Sequence, residues 1–285
     1  MAFFPCGTPM AWVWLHTQAM EINSLSTLAR VGQGLSELRF TVFTPSIIEG
    51  CDAVYQKFFG FPAENEAVQK RLFRSEYFTV KERIKCAVVQ LGPRLDITIS
   101  PDASATETAE LTSENAAQMQ QMIGGFAVIG NDNGMRDGFI QSAQELLPRL
   151  GELKRLAVVE HYLWSAKSKE ESYTRLAIFL PGLRLDPASS SDLHFRINRA
   201  KTLDFGGDAV TINRLGEWTS PALIMAIQVN NIDGATTTAF ATSCKTDVNT
   251  APKTDLSKLA DSQKQALVQS LFELSAGLAE NGDTP

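Results

Sequence analysis

The sequence has few of the residues that build metal sites and disulfide frameworks. It contains four cysteines and three histidines, and no two cysteines stand in a CxxC pair. A thiolate metal site or a disulfide-stapled fold needs closer spacings. We therefore expect no metal and no cofactor. Cys51, Cys86 and Cys244 fall within apolar patterns, which is typical of buried free thiols in a cytoplasmic protein.

Long apolar runs and catalytic signatures are also missing. After the N-terminus, no run reaches the roughly 18 apolar residues of a membrane span, so we expect no membrane association. Residues 1–19 are apolar and aromatic but contain no Lys or Arg, whereas a secretory signal begins with basic residues. Two interpretations stay open, an N-terminal extension that docks on the body of the protein and a start chosen upstream of a true start at Met20. We favour the second and expect residues 1–19 to lie outside the fold. No GxSxG, HExxH or P-loop motif occurs.

Acidic residues are in modest excess over basic residues. The 26 Lys and Arg residues face 32 Asp and Glu residues, for a net charge of −6, which argues against nucleic acid as the partner. Lys70–Lys85 is the exception, because it is basic and carries Phe73 and Tyr77, a combination that single-stranded nucleic acid favours. A solvated charged surface explains the same stretch, and we favour that interpretation.

The first part of the chain predicts a small β-α-α-β-β unit over residues 20–100. Leu35–Phe43 alternates as a half-buried strand does, and Ser46–Phe59 has apolar residues at helical spacing. A second, polar helix is predicted over Glu64–Phe73, and two strands over Cys86–Leu91 and Leu95–Ile99. Residues 101–121 are acidic and polar, which predicts a loop or linker.

The remainder, residues 122–285, predicts a second α+β unit. A helix is expected over Met135–Leu150 and a strand over Arg155–Trp164. Between residues 193 and 248 four strands form an antiparallel meander, which a long helix from about Asp255 to Leu278 covers. The fold class is therefore α+β.

Two turns predict the pairing within this meander. Gly206-Gly207 is a two-residue hairpin turn that places Leu203 opposite Val210. Asp233-Gly234 is predicted as a second such turn, which would place Leu223 opposite Cys244 with apolar residues on one face.

Four short landmarks give the chain a resemblance. LSELRF, CAVVQLGPRLDIT, RLAVVEHYLW and KTDVNT occur in this order between Leu35 and Leu278. In these landmarks the chain resembles a sporadically distributed family of bacterial proteins of unknown function, although it departs from that family at Glu160-His161-Tyr162. The resemblance implies no activity and no catalytic residue.

Two motifs have both a chemical and a structural interpretation. The run at residues 126–139 predicts a strand, a glycine-rich turn and a helix, which is a geometry that can bind phosphate, but Gly, Asn and Asp are also what an ordinary turn requires. Glu160 and His161 are neighbours in a strand, so they point to opposite faces and cannot form a local acid–base pair. We expect His161 to be hydrogen-bonded in the core or at a subunit interface.

The hairpin register singles out one charge arrangement. It places Arg199 opposite Arg214, on the face that carries Ile197 and Ile212. Like charges directly opposite each other destabilise a sheet unless an anion lies between them. A carboxylate of the protein, such as that of Asp204, Asp208 or Glu217, and an external carboxylate or phosphate are the two alternatives.

We therefore expect a non-enzymatic binding or assembly protein that acts through a protein partner or a second copy of itself. The alternative is an enzyme or sensor for an anionic small molecule bound near Arg199 and Arg214.

Overall fold

The structure is a computed structural model that describes residues 33–102, 122–123, 126–130, 133–190, 192–229 and 232–282. The predicted extension at residues 1–19 lies outside the described residues, as does the predicted linker beyond Asp102. Within the described ranges the chain forms twelve β-strands and four α-helices.

The strands follow one another along the chain as β1 (Gln33–Phe43), β2 (Asn65–Gln69), β3 (Arg74–Lys81), β4 (Ile84–Leu91), β5 (Arg94–Pro101), β6 (Met122–Ile123), β7 (Phe126–Ala127), β8 (Arg155–Ala166), β9 (His194–Phe205), β10 (Asp208–Thr219), β11 (Ala222–Val229) and β12 (Ile232–Thr250). The helices are α1 (Cys51–Phe59), α2 (Asn133–Leu146), α3 (Lys169–Phe179) and α4 (Asp261–Asn281). Short 3-10 turns lie at Lys70–Leu72, Leu147–Arg149 and Leu256–Lys258.

Ten strands form one antiparallel sheet. Their order is β2-β3-β4-β5-β1-β8-β12-β10-β9, and β11 pairs with β12 beside this path. Strands β6 and β7 pair with each other. The protein is therefore α+β with a large antiparallel sheet and a C-terminal helix, as the sequence predicts. No helix in the described part of the chain combines the length and the hydropathy that a membrane span needs.

The sheet consists of two halves with similar connectivity. In each half a central strand is followed by a helix, then by antiparallel strands that return to the central strand, and then by a second helix. The central strands β1 and β8 pair with each other, with Phe40 opposite Val158. The sheet is thus continuous across the two predicted units.

The helices share one face of the sheet. Leu38, Phe40 and Val42 of β1 are fully buried on this face, as the alternation at Leu35–Phe43 predicts. The helices above them are joined by edge-to-face aromatic contacts, with Phe139 of α2 lying 4.9 Å from Phe58 of α1 and 6.1 Å from Phe272 of α4, centroid to centroid. The core therefore lies between one sheet face and one helical layer.

The predicted polar helix at Glu64–Phe73 is wrong. The segment forms strand β2 and a short 3-10 turn, and β3 follows from Arg74. Every residue of β2 is exposed, so no apolar alternation marks it. Its pairing with β3, Val68 opposite Ser75, forms through the backbone and leaves little trace in the side-chain pattern.

The predicted turn at Asp233-Gly234 is also wrong. Val229 pairs with Ile232, so Asp233 and Gly234 belong to β12, and Leu223 lies opposite Ala239. The cause is competition for the same side of β12. Cys244 is already paired with Trp218 of β10, which leaves only the earlier part of β12 for β11.

Candidate functional site

The β9–β10 hairpin closes at the predicted turn. Gly206 and Gly207 have φ values of 71° and 98°, a left-handed conformation that glycine adopts without steric cost and that two-residue hairpins require. The Oδ1 atom of Asp204 accepts a hydrogen bond of 2.8 Å from the amide of Gly207. These interactions fix the register of both strands.

The predicted register of this hairpin is confirmed. Leu203 lies opposite Val210, and Arg199 lies directly opposite Arg214. Ile212 and Trp218 lie on the same face of β10 as Arg214, because they are two and four residues away from it, and both are fully buried. The two arginines therefore lie on the helix-covered face, side by side.

The surroundings of Arg214 are apolar on one side. The indole of Trp218 lies over Gly216, where a Cβ atom would overlap the ring. The Nε atom of Arg214 is buried and has no hydrogen-bond partner in the described structure. Asp204 and Glu217 alternate onto the opposite face, where Glu217 lies 3.8 Å from Arg196. Neither of these two carboxylates therefore lies on the face of Arg214, whereas Asp208, which stands opposite Phe205 next to the turn, alternates onto that face.

Strand β9 ends the sheet. It pairs with β10 along all of its 12 residues, and no described strand pairs with its other side. In a two-residue hairpin the pair that flanks the turn exchanges both hydrogen bonds, and every second pair does so thereafter. The odd-numbered residues of β9 are therefore bonded to β10, while the even-numbered residues, such as Asn198 and Ala200, direct their N–H and C=O groups away from the sheet.

A buried ion pair is the site feature that the sequence did not predict. Glu160 of β8 is fully buried, and its Oε1 atom accepts a hydrogen bond of 2.6 Å from Nε of Arg136 in α2. Arg136 also donates to the carbonyl of Phe272 in α4, at 2.7 Å. Burial is the largest single influence on the pKa of Arg136 and lowers it, but the charge and hydrogen bond of Glu160 together with the contact to Tyr162 outweigh burial, so the pKa lies above its ordinary value.

The residues around Glu160 complete a polar cluster under α4. The hydroxyl of Thr246 donates to the carbonyl of Glu160 and lies 2.5 Å from that of Ser275. Burial and the charge of Glu160 raise the pKa of Tyr162, so its phenol stays protonated. The cluster ties β8, β12, α2 and α4 together. Its signal in the sequence was a single acidic residue on the apolar side of an otherwise apolar strand.

His161 lies on the opposite face of the sheet, as predicted. Its Nδ1 and Nε2 atoms lie 2.7 Å from the hydroxyls of Ser36 and Ser243. Burial and the nearby Lys245 lower its pKa, so the ring is neutral near pH 7. Both ring nitrogens are engaged by serines, and the arrangement is that of a satisfied structural histidine.

The other sequence candidates have structural explanations within the described residues. Ile129 and Gly130 exchange backbone hydrogen bonds with Leu35, so this part of the 126–139 run anchors β1. Within Lys70–Lys85, Arg74 and Lys85 both contact Glu76, at 2.9 and 2.6 Å.

The described residues contain no site for a metal ion and no cysteine placed for thiol chemistry. No group of three or more His, Cys, Asp or Glu side chains is placed to hold a metal. Cys51, Cys86 and Cys244 are free thiols, and burial raises the pKa of Cys86 to about 12. An open cavity of about 660 Å³ lies between the start of β10 and residues 251–255, but Arg199 and Arg214 do not line it.

No protein-family model, curated protein or solved structure matches the chain. The family resemblance of the four landmarks therefore stays a prediction.

Proposed function

We propose that this protein binds an extended segment of a protein partner, which adds to the sheet at β9. The observation that supports the proposal is the outer edge of β9, where backbone donors and acceptors stand without a partner among the described residues. Such an edge is a template for a further strand. In this proposal the C-terminal meander lies under α4 and presents β9 as its outermost strand.

The side chains of β9 fit this role. Phe195, Ile197 and Leu203 are only half-buried, and they pack against the core on the helix-covered face. An added strand would extend this apolar face and bury more of it. Main-chain hydrogen bonds would supply affinity, and the side chains of alternate residues would supply selectivity. A cytoplasmic location agrees with the free thiols of Cys51 and Cys244.

Displayed random peptides as long as β9, 12 residues, provide a test. Ala200→Pro removes an outward N–H group without removing a hydrogen bond to β10. Ala200→Val keeps that N–H group and is the matched control. We expect peptides selected on the unaltered full-length protein to bind the Val variant and to lose binding to the Pro variant. If the selected peptides bind both variants equally, the edge is not the binding site.

A second candidate function is the binding of an anionic small molecule near Arg199 and Arg214. The observation in its favour is the buried Nε atom of Arg214, which has no partner in the described structure. In that case sulfate should raise the melting temperature more than chloride does at equal ionic strength, and Arg214→Met should abolish the difference. An equal response of both proteins to sulfate would contradict it.

A further inference from the structure

The loop between β2 and β3 exposes two large apolar side chains. Leu72 is 60% exposed and Phe73 is 69% exposed, and both belong to the short connection between Gln69 and Arg74. Of the six exposed large apolar side chains among the described residues, four lie at this end of the sheet, namely Val68, Leu72, Phe73 and Leu91. We call Lys70–Phe73 together with Val68 and Leu91 the β2–β3 tip. Clustered exposed apolar residues mark an interaction site, whereas scattered ones do not.

Backbone hydrogen bonds hold the loop against the next hairpin. Leu91 stands opposite Arg74, and the amide of Gly92 donates a hydrogen bond of 3.0 Å to the carbonyl of Phe73. Phe73 has a φ of 47°, a left-handed conformation that is uncommon for a bulky residue and that glycine and asparagine adopt more readily. The fold therefore keeps a large aromatic ring in solvent at a position where a smaller residue would cost less, and such local strain is concentrated at functional sites.

Two cations of the tip have no carboxylate partner. Lys70 and Arg71 are exposed, and neither forms an ion pair with a carboxylate of the described residues. The carboxylates of the two strands that flank the loop already have partners, which are Tyr77 for Glu66, at 3.0 Å, and Arg74 for Glu76, at 2.9 Å. The tip therefore presents two positive charges beside its apolar side chains, on a chain whose net charge is −6.

An anionic lipid surface fits this combination best. Its headgroups attract the cations, and the boundary of its acyl chains accepts leucine and phenylalanine without a pocket of fixed shape. Single-stranded nucleic acid, which the sequence of Lys70–Lys85 also suggests, stacks on aromatic rings, but three of the four exposed apolar side chains of the tip are aliphatic. A protein partner binds anchors that packing holds in place, and the ring of Phe73 makes no aromatic or cation–π contact within the described chain.

We propose that the β2–β3 tip binds the surface of an anionic lipid bilayer, with Leu72 and Phe73 at the acyl boundary and Lys70 and Arg71 among the headgroups. Such a contact needs no membrane span. It revises the sequence-based expectation of no membrane association, which considered only a spanning segment. Strands β2 and β9 end the nine-strand path on opposite sides, so this contact is independent of strand addition at β9.

Co-sedimentation with lipid vesicles tests the proposal on the full-length protein. One vesicle is phosphatidylcholine alone, and in the other about a third of the lipid is phosphatidylserine, which gives an anionic surface. We expect binding to the anionic vesicle only, and weaker binding as salt rises. The double variant Lys70→Gln/Arg71→Gln should bind roughly 25-fold more weakly, about fivefold for each charge. Phe73→Asn keeps a residue that tolerates the left-handed backbone and should bind about tenfold more weakly through lost apolar burial.

Two variants away from the tip are the matched controls. Ile178→Gln removes a side chain of α3 that is 70% exposed, and Lys167→Gln removes an exposed charge beyond the end of β8. Both should bind anionic vesicles as the unaltered protein does, and circular dichroism should show that every variant folds. Absence of binding to anionic vesicles, or equal binding by the tip variants and the unaltered protein, would overturn the proposal. Binding of a single-stranded oligothymidylate that Phe73→Asn abolishes, without vesicle binding, would overturn it in favour of nucleic acid.

Discussion

At the scale of single residues, the contact between Arg136 and Glu160 joins helix α2 to strand β8 inside the core. The Glu160 side chain is fully buried and the Arg136 side chain is 19% exposed, and 2.6 Å separates Nε of Arg136 from Oε1 of Glu160. A buried ion pair adds little net stability compared with a well-packed apolar pair, because both charges must leave water. Removing one partner is different, since it leaves the other charge buried and uncompensated.

Arg136→Met should therefore lower the free energy of unfolding by about 3–5 kcal/mol. Chemical denaturation followed by circular dichroism measures the change. The double variant Arg136→Met/Glu160→Leu removes both charges and should recover most of the loss. A single variant within about 0.5 kcal/mol of the unaltered protein, as at an ordinary surface position, would show that the pair is not buried as described.

The two arginine sites differ in how far the sequence predicts them. Arg199 and Arg214 are joined by one hairpin, so a glycine turn and a period of two suffice to place them opposite each other. Arg136 and Glu160 belong to different elements, a helix and a strand, and no local rule specifies which helix residue reaches Glu160. The sequence shows only that a buried acid there needs a partner.

At the scale of elements, apolar periodicity predicts the parts that pack against the core. Ser46–Phe59, Met135–Leu150 and the C-terminal stretch correspond to α1, α2 and α4. Strand β2 does not pack against the core, so its residues carry no such pattern and a helix was predicted instead. The predicted register of β11 is wrong for another reason. Strands β10 and β11 compete for pairing with β12, and this competition is a property of the whole sheet.

Helix α4 has a central position over β8, β10 and β12. Leu271 in its middle is fully buried, so Leu271→Ala should cost about 2–5 kcal/mol of unfolding free energy through lost burial and a cavity. Gln269→Ala, on the exposed side of the same helix, is the control and should change stability by less than about 0.5 kcal/mol. Thermal or urea unfolding compares the two. A near-neutral Leu271→Ala would mean that the helix does not cover the sheet.

At the scale of the whole molecule, β2 and β9, the two end strands of the nine-strand path in the described sheet, differ in character. Strand β2 is 5 residues long and fully exposed, which suits an edge that stays unpaired. Strand β9 is 12 residues long and half-buried on its helix-covered face. The charge of Lys201 on this face discourages indiscriminate pairing. Of these two end strands, β9 is thus the one suited to selective pairing.

The amide hydrogen exchange of β9, measured residue by residue on the free protein at low concentration, tests this claim most directly. If the outer edge is open, Asn198, Ala200 and Thr202 exchange rapidly, while their neighbours on either side in the sequence are protected by β10. Binding of a selected peptide should then slow the exchange of the three rapid amides. Uniform protection along β9 in the free protein would mean that the edge is already covered, and it would contradict strand addition at this edge.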